Sequence, residues 1–443
     1  MIRTLRIAAC MTLTGVFIPS LLSAQLGSYN PRPGPQGVFA ITGGHIFPGN
    51  GPEIANGTVV ITNGKITAVG ANVTVPTGAK VIDAKGLSVF PGMMETANGL
   101  GLAEITEGVN ATVDNIESGR LNPNEQAFFG FDPHSAYVGT TRFTGITSVV
   151  SAPEGGLISG QAALMNLAGD TPPEMAVVPR VAMVINLPSG GRGGRGGGGG
   201  FGGAAGGANT SSADLDSIKT ILRNADAYGR ELEAYAKDKT LPRPQHDVVL
   251  ASLIPAVRGE MPVMIPANST TEIRAAVAFA EEMKLKPILV GGRDAWKVTD
   301  YLKQHDVPVI LTSVMAMPAR EDDPYDVNYS APAKLAAAGV RFAIAAGEPN
   351  PDIRNLPFVA GMAASFGLSR DDALKSVTLW PAQIFGVGDK LGSIEVGKMA
   401  DLVVSDGDLL EARTNTKYLF IDGRQVPLDN MNSAMYNMFK DRP

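Results

Sequence analysis

The chain has 443 residues, is 44% apolar and 18% charged, and carries a formal charge of −6. That length and apolar content supply one large core or two ordinary ones, which excludes an intrinsically disordered chain. The acidic balance argues against nucleic acid or an anionic membrane surface as the main partner and leaves a small molecule or another protein.

At the N-terminus Arg3 and Arg6 precede an apolar run from Ile7 to Leu22, and the small residues Ser23 and Ala24 follow. This pattern predicts a secretory signal peptide over residues 1–24 and a periplasmic or secreted location. An uncleaved anchor is the alternative, but Pro19 interrupts the run, which is short for a span of about 20 residues. Loss of the two arginines takes the charge from −6 to −8. The single cysteine, Cys10, lies in the same run, so the mature chain has no thiol for a disulfide, a Cys-ligated zinc or a cysteine nucleophile. No other stretch is long enough to cross a membrane, so no membrane partner is expected after cleavage.

Residues 37–90 read as short apolar alternations broken by turns, with Asn63 and Gly64 between two of them, the strongest short-range signal for a hairpin. From 91 to 387, strand-like runs such as GITSVVSAP, RVAMVIN, PVMIPAN, PILVGG, VPVILTS and RFAIAAG alternate with helical patterns such as TEIRAAVAFAEEMK and AWKVTDYLKQ. That alternation predicts parallel βαβ units, and their number fits an α/β fold of (β/α)8 TIM-like barrel type. Residues 388–430 return to β character. Neither end is long enough to bury a face alone, which predicts one small β-sandwich domain built from both chain ends. A glycine-rich insertion at 189–208 has few side chains to pack and predicts a flexible loop. It resembles RNA-contacting RGG segments, yet only Arg192 and Arg195 are charged and no Gly-Lys-Ser/Thr phosphate loop is present. A barrel tolerates such a loop, because closure costs only about 0.6 kcal/mol more per doubling of length.

The run LGSIEVGKMADLVVSDGDLL at 391–410, followed by FIDGR, resembles the amidohydrolase superfamily, specifically its imidazolonepropionase-like and secreted prolidase-like branch. NGKITAVG at 63–70 and VIDAKGLSVFPG at 81–92 match the N-terminal half of the same family, and 355–387 matches the helices after the last barrel strand. The resemblance covers almost the whole mature chain. It implies hydrolysis of carbon–nitrogen bonds other than ordinary peptide bonds, a cyclic amide or dipeptide-like substrate, and zinc or another divalent metal as cofactor.

The family's first strand reads PGLIDxHxH. Aligned on Pro91 and Gly92, this chain places Glu95 at the acid and Ala97 and Gly99 at the two histidines. The fifth-strand and sixth-strand histidines align near Pro266 and Gly291, and the last-strand aspartate aligns with Gly347, with Glu348 beside it. Ala97, Gly99, Pro266, Gly291 and Gly347 supply no donor side chain, whereas a divalent hydrolase centre needs several converging N or O ligands. No metal cofactor is therefore expected. A metal lowers the pKa of bound water from about 15.7 to about 7, and the sequence shows no substitute for that help.

The mature chain's four histidines, His45, His134, His246 and His305, form no HxH or HExxH spacing. Two readings stand for His134: an acid–base group near the strand ends, or part of a turn in which Asp132 and Ser135 cap a helix. Glu95, His134 and Glu348 are the catalytic candidates, because two converging carboxyls perform acid–base work without metal. Glu104 and Glu154 have surface placement as their simpler reading. Asn98 is a candidate ligand donor or a turn former. Ser159 and Gln161 are binding candidates on a segment, 154–167, that resembles a family loop reaching toward the site. Three functions stay open: an exported family hydrolase without its usual metal centre, a non-catalytic partner that forms a homo-oligomer or pairs with an intact homologue, or a metalloenzyme rebuilt with unusual oxygen ligands.

Overall fold

The computed structural model describes residues 30–104, 113–188, 212–347 and 350–442. The expected signal peptide and the glycine-rich insertion lie outside the described residues. Among those described, no helix is long and apolar enough to cross a membrane.

Eight strands from the two ends of the chain form one sheet. The first five are β1 Val38–Ile46, β2 Ile54–Thr62, β3 Lys65–Gly70, β4 Lys80–Asp83 and β5 Ser88–Pro91. The last three, β14 Leu402–Ser405, β15 Thr416–Ile421 and β16 Arg424–Val426, complete it. The order is β16-β15-β14-β5-β1-β2-β3, with β4 pairing β1 in parallel. The join between the two ends is the antiparallel ladder of β14 on β5, Leu402 opposite Pro91 and Ser405 opposite Ser88. Phe39, Ile41, Val59, Ile61, Leu402, Val404 and Phe420 share one buried cluster, so neither end has a core of its own. The expected hairpin at Asn63 and Gly64 joins β2 to β3. Asn63 takes a φ of 47°, which asparagine tolerates better than most residues.

The second sheet runs sequentially from β6 to β13. Its strands are β6 Met93–Asn98, β7 Ile146–Ser151, β8 Ile158–Asn166, β9 Ala176–Ile185, β10 Val263–Ala267, β11 Pro287–Gly291, β12 Val309–Leu311 and β13 Phe342–Ile344. Alternate side chains, among them Met94, Val150, Leu164, Val184, Met264, Val290 and Ala343, fill the interior. The barrel is nearly closed. Between β13 and β6 no ladder forms, and the chain at Ser376 and Val377 spans the seam: Ile344 N donates to Ser376 O (3.0 Å) and Met94 N to Val377 O (2.8 Å).

The helices cover the outside. Two short ones, α1 Ala127–Gly130 and α2 Ala136–Arg142, precede β7, and the one-turn α3 Pro172–Met175 precedes β9. Between β9 and β10 lie α4 Ser212–Lys237 and α5 Val248–Val257, then α6 Thr270–Met283, α7 Thr299–Gln304 and α8 Val327–Ala338 fill the next three crossovers. After the last barrel strand come α9 Leu356–Ser365, α10 Arg370–Lys375 and α11 Leu379–Ile384, and α12 Met431–Phe439 ends the described chain. The starts are locally encoded: Ser269 and Glu272 form a reciprocal capping box at α6, and Asp247 caps α5.

One expectation is corrected. Residues 154–167 are not a loop in the main but hold β8, which runs antiparallel to both β7 and β9. The links into and out of β8 are too short for a parallel crossover, which needs about a dozen residues or more. All nine of its residues are buried, so the strand lacks the polar alternation that would have marked it.

Candidate functional site

Barrel enzymes of this architecture place their chemistry at the C-terminal ends of the strands. Here that end is built from the residues following β6, β7, β10, β11, β12 and β13, roofed on one side by the chain from Val113 to Gly130. The roof is sewn to β8: Asn122 N donates to Ile158 O (2.9 Å) and Gln161 N to Glu125 O (2.8 Å).

Glu95 is fully buried on β6. Its Oε1 accepts from the backbone N–H of Thr96 (3.1 Å) and Ala97 (3.3 Å), and its Oε2 accepts from Ala346 N (2.8 Å) across the seam. Burial pushes its pKa up to about 7 against the opposing pull of those N–H donors. Glu95 is thus a proton-exchanging group near neutral pH and also the clasp between the first and last strands. Asn98, equally buried, accepts from Leu100 N (2.8 Å) through Oδ1, while its Nδ2 has no partner.

The other predicted residues divide. Ser159 and Gln161 are buried on β8, and their donors face the roof and its neighbours: Ser159 Oγ donates to Gly155 O (2.7 Å) and Gln161 Nε2 to Pro123 O (2.8 Å). His134 is exposed on the turn before α2, where its N–H donates to Asp132 Oδ1 (2.8 Å) and Ser135 Oγ accepts from Tyr137 N (3.2 Å). Ser135 is the N-cap of α2 and Asp132 closes the turn ahead of it, which leaves His134 exposed on that turn. Glu348 lies outside the described residues. His45 faces Glu53 in the composite sheet (2.9 Å), His305 meets Glu281 after α7, and His246 is exposed before α5.

Two carboxyls with a simpler surface reading are partly buried. Glu154 has its pKa raised to about 7 by burial, and its Oε1 has no partner. Glu104 is also raised, by burial first and by the charge of Asp132, despite a hydrogen bond from Ser135.

Sequence reading missed Asn350 and Asn115. Asn350 Nδ2 donates to Ala103 O (2.6 Å) and Gly99 O (3.3 Å), tying the chain after β13 to the turn after β6. Its position three residues beyond Gly347, between two prolines in the sequence, was the available signal. Asn115 sits on the roof, and no pattern pointed to it. Thr96 Oγ1, Asn98 Nδ2, Glu104 Oε1, Asn115 Oδ1, Glu154 Oε1, Gln161 Oε1 and Asn350 Oδ1 are all buried without a partner. Their concentration at this end of the barrel marks it as a place for bound water or ligand, since buried polar groups are nearly always paired.

The positions aligned with the family's metal ligands are also here. Ala97 belongs to the barrel's apolar interior, and Gly99 follows β6. Pro266 lies on β10 opposite Val290. Gly291 has a φ of +105°, and a Cβ there would stand 2.5 Å from Asn268 Oδ1. Gly347 has a φ of +74°. Gly291 thus has no room for a histidine, and Gly347 holds a positive φ that L side chains rarely adopt.

The fold and the mouth define a nearly closed eight-stranded α/β barrel carrying a composite β sheet. The Amidohydrolase family model matches residues 265–426. An imidazolonepropionase from Syntrophobacter fumaroxidans is 37% identical over 84 residues, 18% of this chain and 20% of that protein. Amidohydrolase tasK from Hapsidospora irregularis is 24% identical over 399 residues, 83% of this chain and 39% of that protein. The matches therefore span well under half the length of either relative. The crystal structure of an amidohydrolase from Thermotoga maritima superposes with a TM-score of 0.77 at 22% identity, covering 88% of this chain and 99% of that one. The chain is thus similar to amidohydrolases: the family model matches its C-terminal part, and the Thermotoga maritima structure shares its fold.

Proposed function

We propose that the protein is an exported hydrolase of carbon–nitrogen bonds other than ordinary peptide bonds, working without the divalent centre of its family. The observation that carries this reading is the backbone at Gly291 and Gly347, whose positive φ values disfavour the ligand side chains the family would place there. Asn268 occupies the space a side chain at 291 would need. Ala97, Gly99 and Pro266 bring no donor atom, and among the described residues no group of three His, Cys, Asp or Glu side chains is placed to hold a metal ion. The residues present do not fit the group, so no step is routed through it.

In this reading acid–base work falls to Glu95, with Glu348 as the second candidate from the sequence and Asn98 orienting the ligand; His134, exposed on its turn, takes no part. Glu95 is the best supported of these because its pKa of about 7 suits proton transfer at neutral pH. Gln161 serves the site by holding its roof, and Ser159 by fixing the turn between β7 and β8 through Gly155 O. The imidazolonepropionase relative makes cyclic amides the first substrate class to try, and dipeptide-like amides the second. The decisive experiment is elemental analysis of the mature protein after incubation with zinc, manganese and iron, alongside turnover of such amides with and without chelator. Sub-stoichiometric metal with chelator-resistant turnover is expected. Stoichiometric metal, or turnover abolished by chelator, would overturn the reading.

A second reading is favoured by the engagement of both Glu95 oxygens in backbone hydrogen bonds and by the apolar filling of the barrel. In it the chain is a non-catalytic partner of an intact homologue or of itself. Inactivity together with co-elution on gel filtration supports that version, and a monomer indifferent to the homologue removes it.

A further inference from the structure

A cavity of about 210 Å³ opens between the turns after β6 and β7 and the roof segment, bounded by Leu102 and Pro153 on the barrel side. Its polar wall carries Asp114, Asn115, Glu117 and Glu125, with Phe129 at the rim. Among the described residues, no Lys, Arg or His side chain forms an ion pair with any of these three carboxylates. Arg120, the nearest cation in sequence, pairs instead with Asp214 on α4. The wall also contains a group that calls for a ligand: Asn115 is only 7% exposed, and its Oδ1 has no hydrogen-bond partner. A buried acceptor left unpaired costs about 1–3 kcal/mol, and a bound donor removes that cost. Phe129 is 75% exposed, so its ring is available to a cation at the mouth of the cavity.

We propose that this cavity binds the primary-ammonium or guanidinium head of a small organic cation, with Asp114, Glu117 and Glu125 supplying charge and Asn115 Oδ1 accepting one of its N–H bonds. Three carboxylates without a paired base select a cation. The volume is several times that needed by one water, about 30 Å³, so a polyatomic head group fits better than a bare ion. An unpaired amide oxygen and an exposed aromatic ring favour N–H donors over a metal that demands a full oxygen shell. The inference goes beyond the proposed hydrolysis and does not depend on it. Binding without turnover leaves it standing, whereas turnover without binding removes only this proposal.

The test is calorimetric titration of the intact mature protein with methylguanidine and with propylamine, using urea and calcium chloride as comparison probes. Saturable binding of at least one cationic probe, weakened by salt, is expected. The double variant Asp114→Asn with Glu117→Gln changes two exposed side chains and should weaken binding about tenfold or more with little effect on thermal stability. A second variant, Gly130→Ala, narrows the cavity sterically: its methyl would stand 2.9 Å from Asp114 Oδ2 and 3.2 Å from Leu102 Cδ2. It should weaken the cationic probes with every carboxylate retained. Failure of both cationic probes to bind, equal binding of urea, binding of calcium alone, or affinity unchanged in both variants would each overturn the proposal.

Discussion

Glu95 shows how one side chain is given two tasks by its surroundings. Its carboxyl ties the first barrel strand to the last through Ala346 N, and burial holds its pKa near 7. Because the folded-state pKa is raised from 4.5, the contribution of the protonated form is fully present below about pH 4.5 and is lost as pH rises through 7. The loss amounts to about 3 kcal/mol. A carboxamide in the same place has only one acceptor oxygen, so one end of Glu95→Gln faces N–H donors with an NH2 group. That variant should lose about 2 kcal/mol at pH 5, and the deficit should shrink toward zero by pH 8.5, where the wild-type carboxylate is itself penalised. Urea unfolding at the two pH values checks this; a deficit independent of pH would refute the assignment. At Gly291 the constraint is steric. Gly291→Ala should cost about 1–3 kcal/mol, measured by the same unfolding, because the residue is held at positive φ against Asn268.

At the scale of elements, β8 decides how the mouth is covered. Its first half pairs with the roof where β7 has already ended, through contacts such as Gln161 Nε2 to Pro123 O. Gln161→Ala removes a buried donor and should cost about 1 kcal/mol. Hydrogen exchange should rise in residues 120–126 and stay unchanged in β10 to β13. Uniform loosening of the barrel would show that Gln161 supports the core and not the roof. The parallel strands and α6 were legible because each carries its own signal: short apolar runs such as VMIPA and PILVG, or a capping box ahead of an apolar face. β8 lacked such a signal. Its sequence ISGQAALMN begins with small and polar residues that are buried only because the roof covers them.

For the whole molecule, three carboxyls, Glu95 and Asp401 buried and Glu154 partly so, shift in the same direction. Glu95, Glu154 and Asp401 each have a pKa pushed up to about 7, by burial first in every case. The folded state therefore keeps protons that the unfolded chain releases, and stability falls as pH rises from about 4 past 7. The urea midpoint should be higher at pH 5 than at pH 8; a flat or rising profile would contradict the burial of these groups. Asp401 stands at the joint between the composite sheet and the barrel. Its carbonyl accepts from Gly92 N (2.8 Å) and its Oδ1 from Asp422 N (2.8 Å). A chain ending at residue 387 loses β14 to β16, leaves β5 unpaired on one edge and removes Leu402, Val404 and Phe420 from a shared core. Such a truncation should fail to give a soluble folded product, as judged by circular dichroism and gel filtration.

The sequence by itself determined what depends on neighbours in the chain: the Asn63 hairpin, the strand and helix periods, the helix caps, and the residue types standing where the family carries its metal ligands. It also carried the family resemblance, because LGSIEVGKMADLVVSDGDLL is a contiguous run. Only the tertiary structure decided what depends on residues far apart. Glu95 is a clasp because Ala346 lies opposite it, Gly291 is confined because Asn268 fills the space beside it, and Asn115 is an unpaired acceptor because the roof folds it inward. These properties arise from burial and from contacts between distant segments, and neither is written in the local order of the side chains.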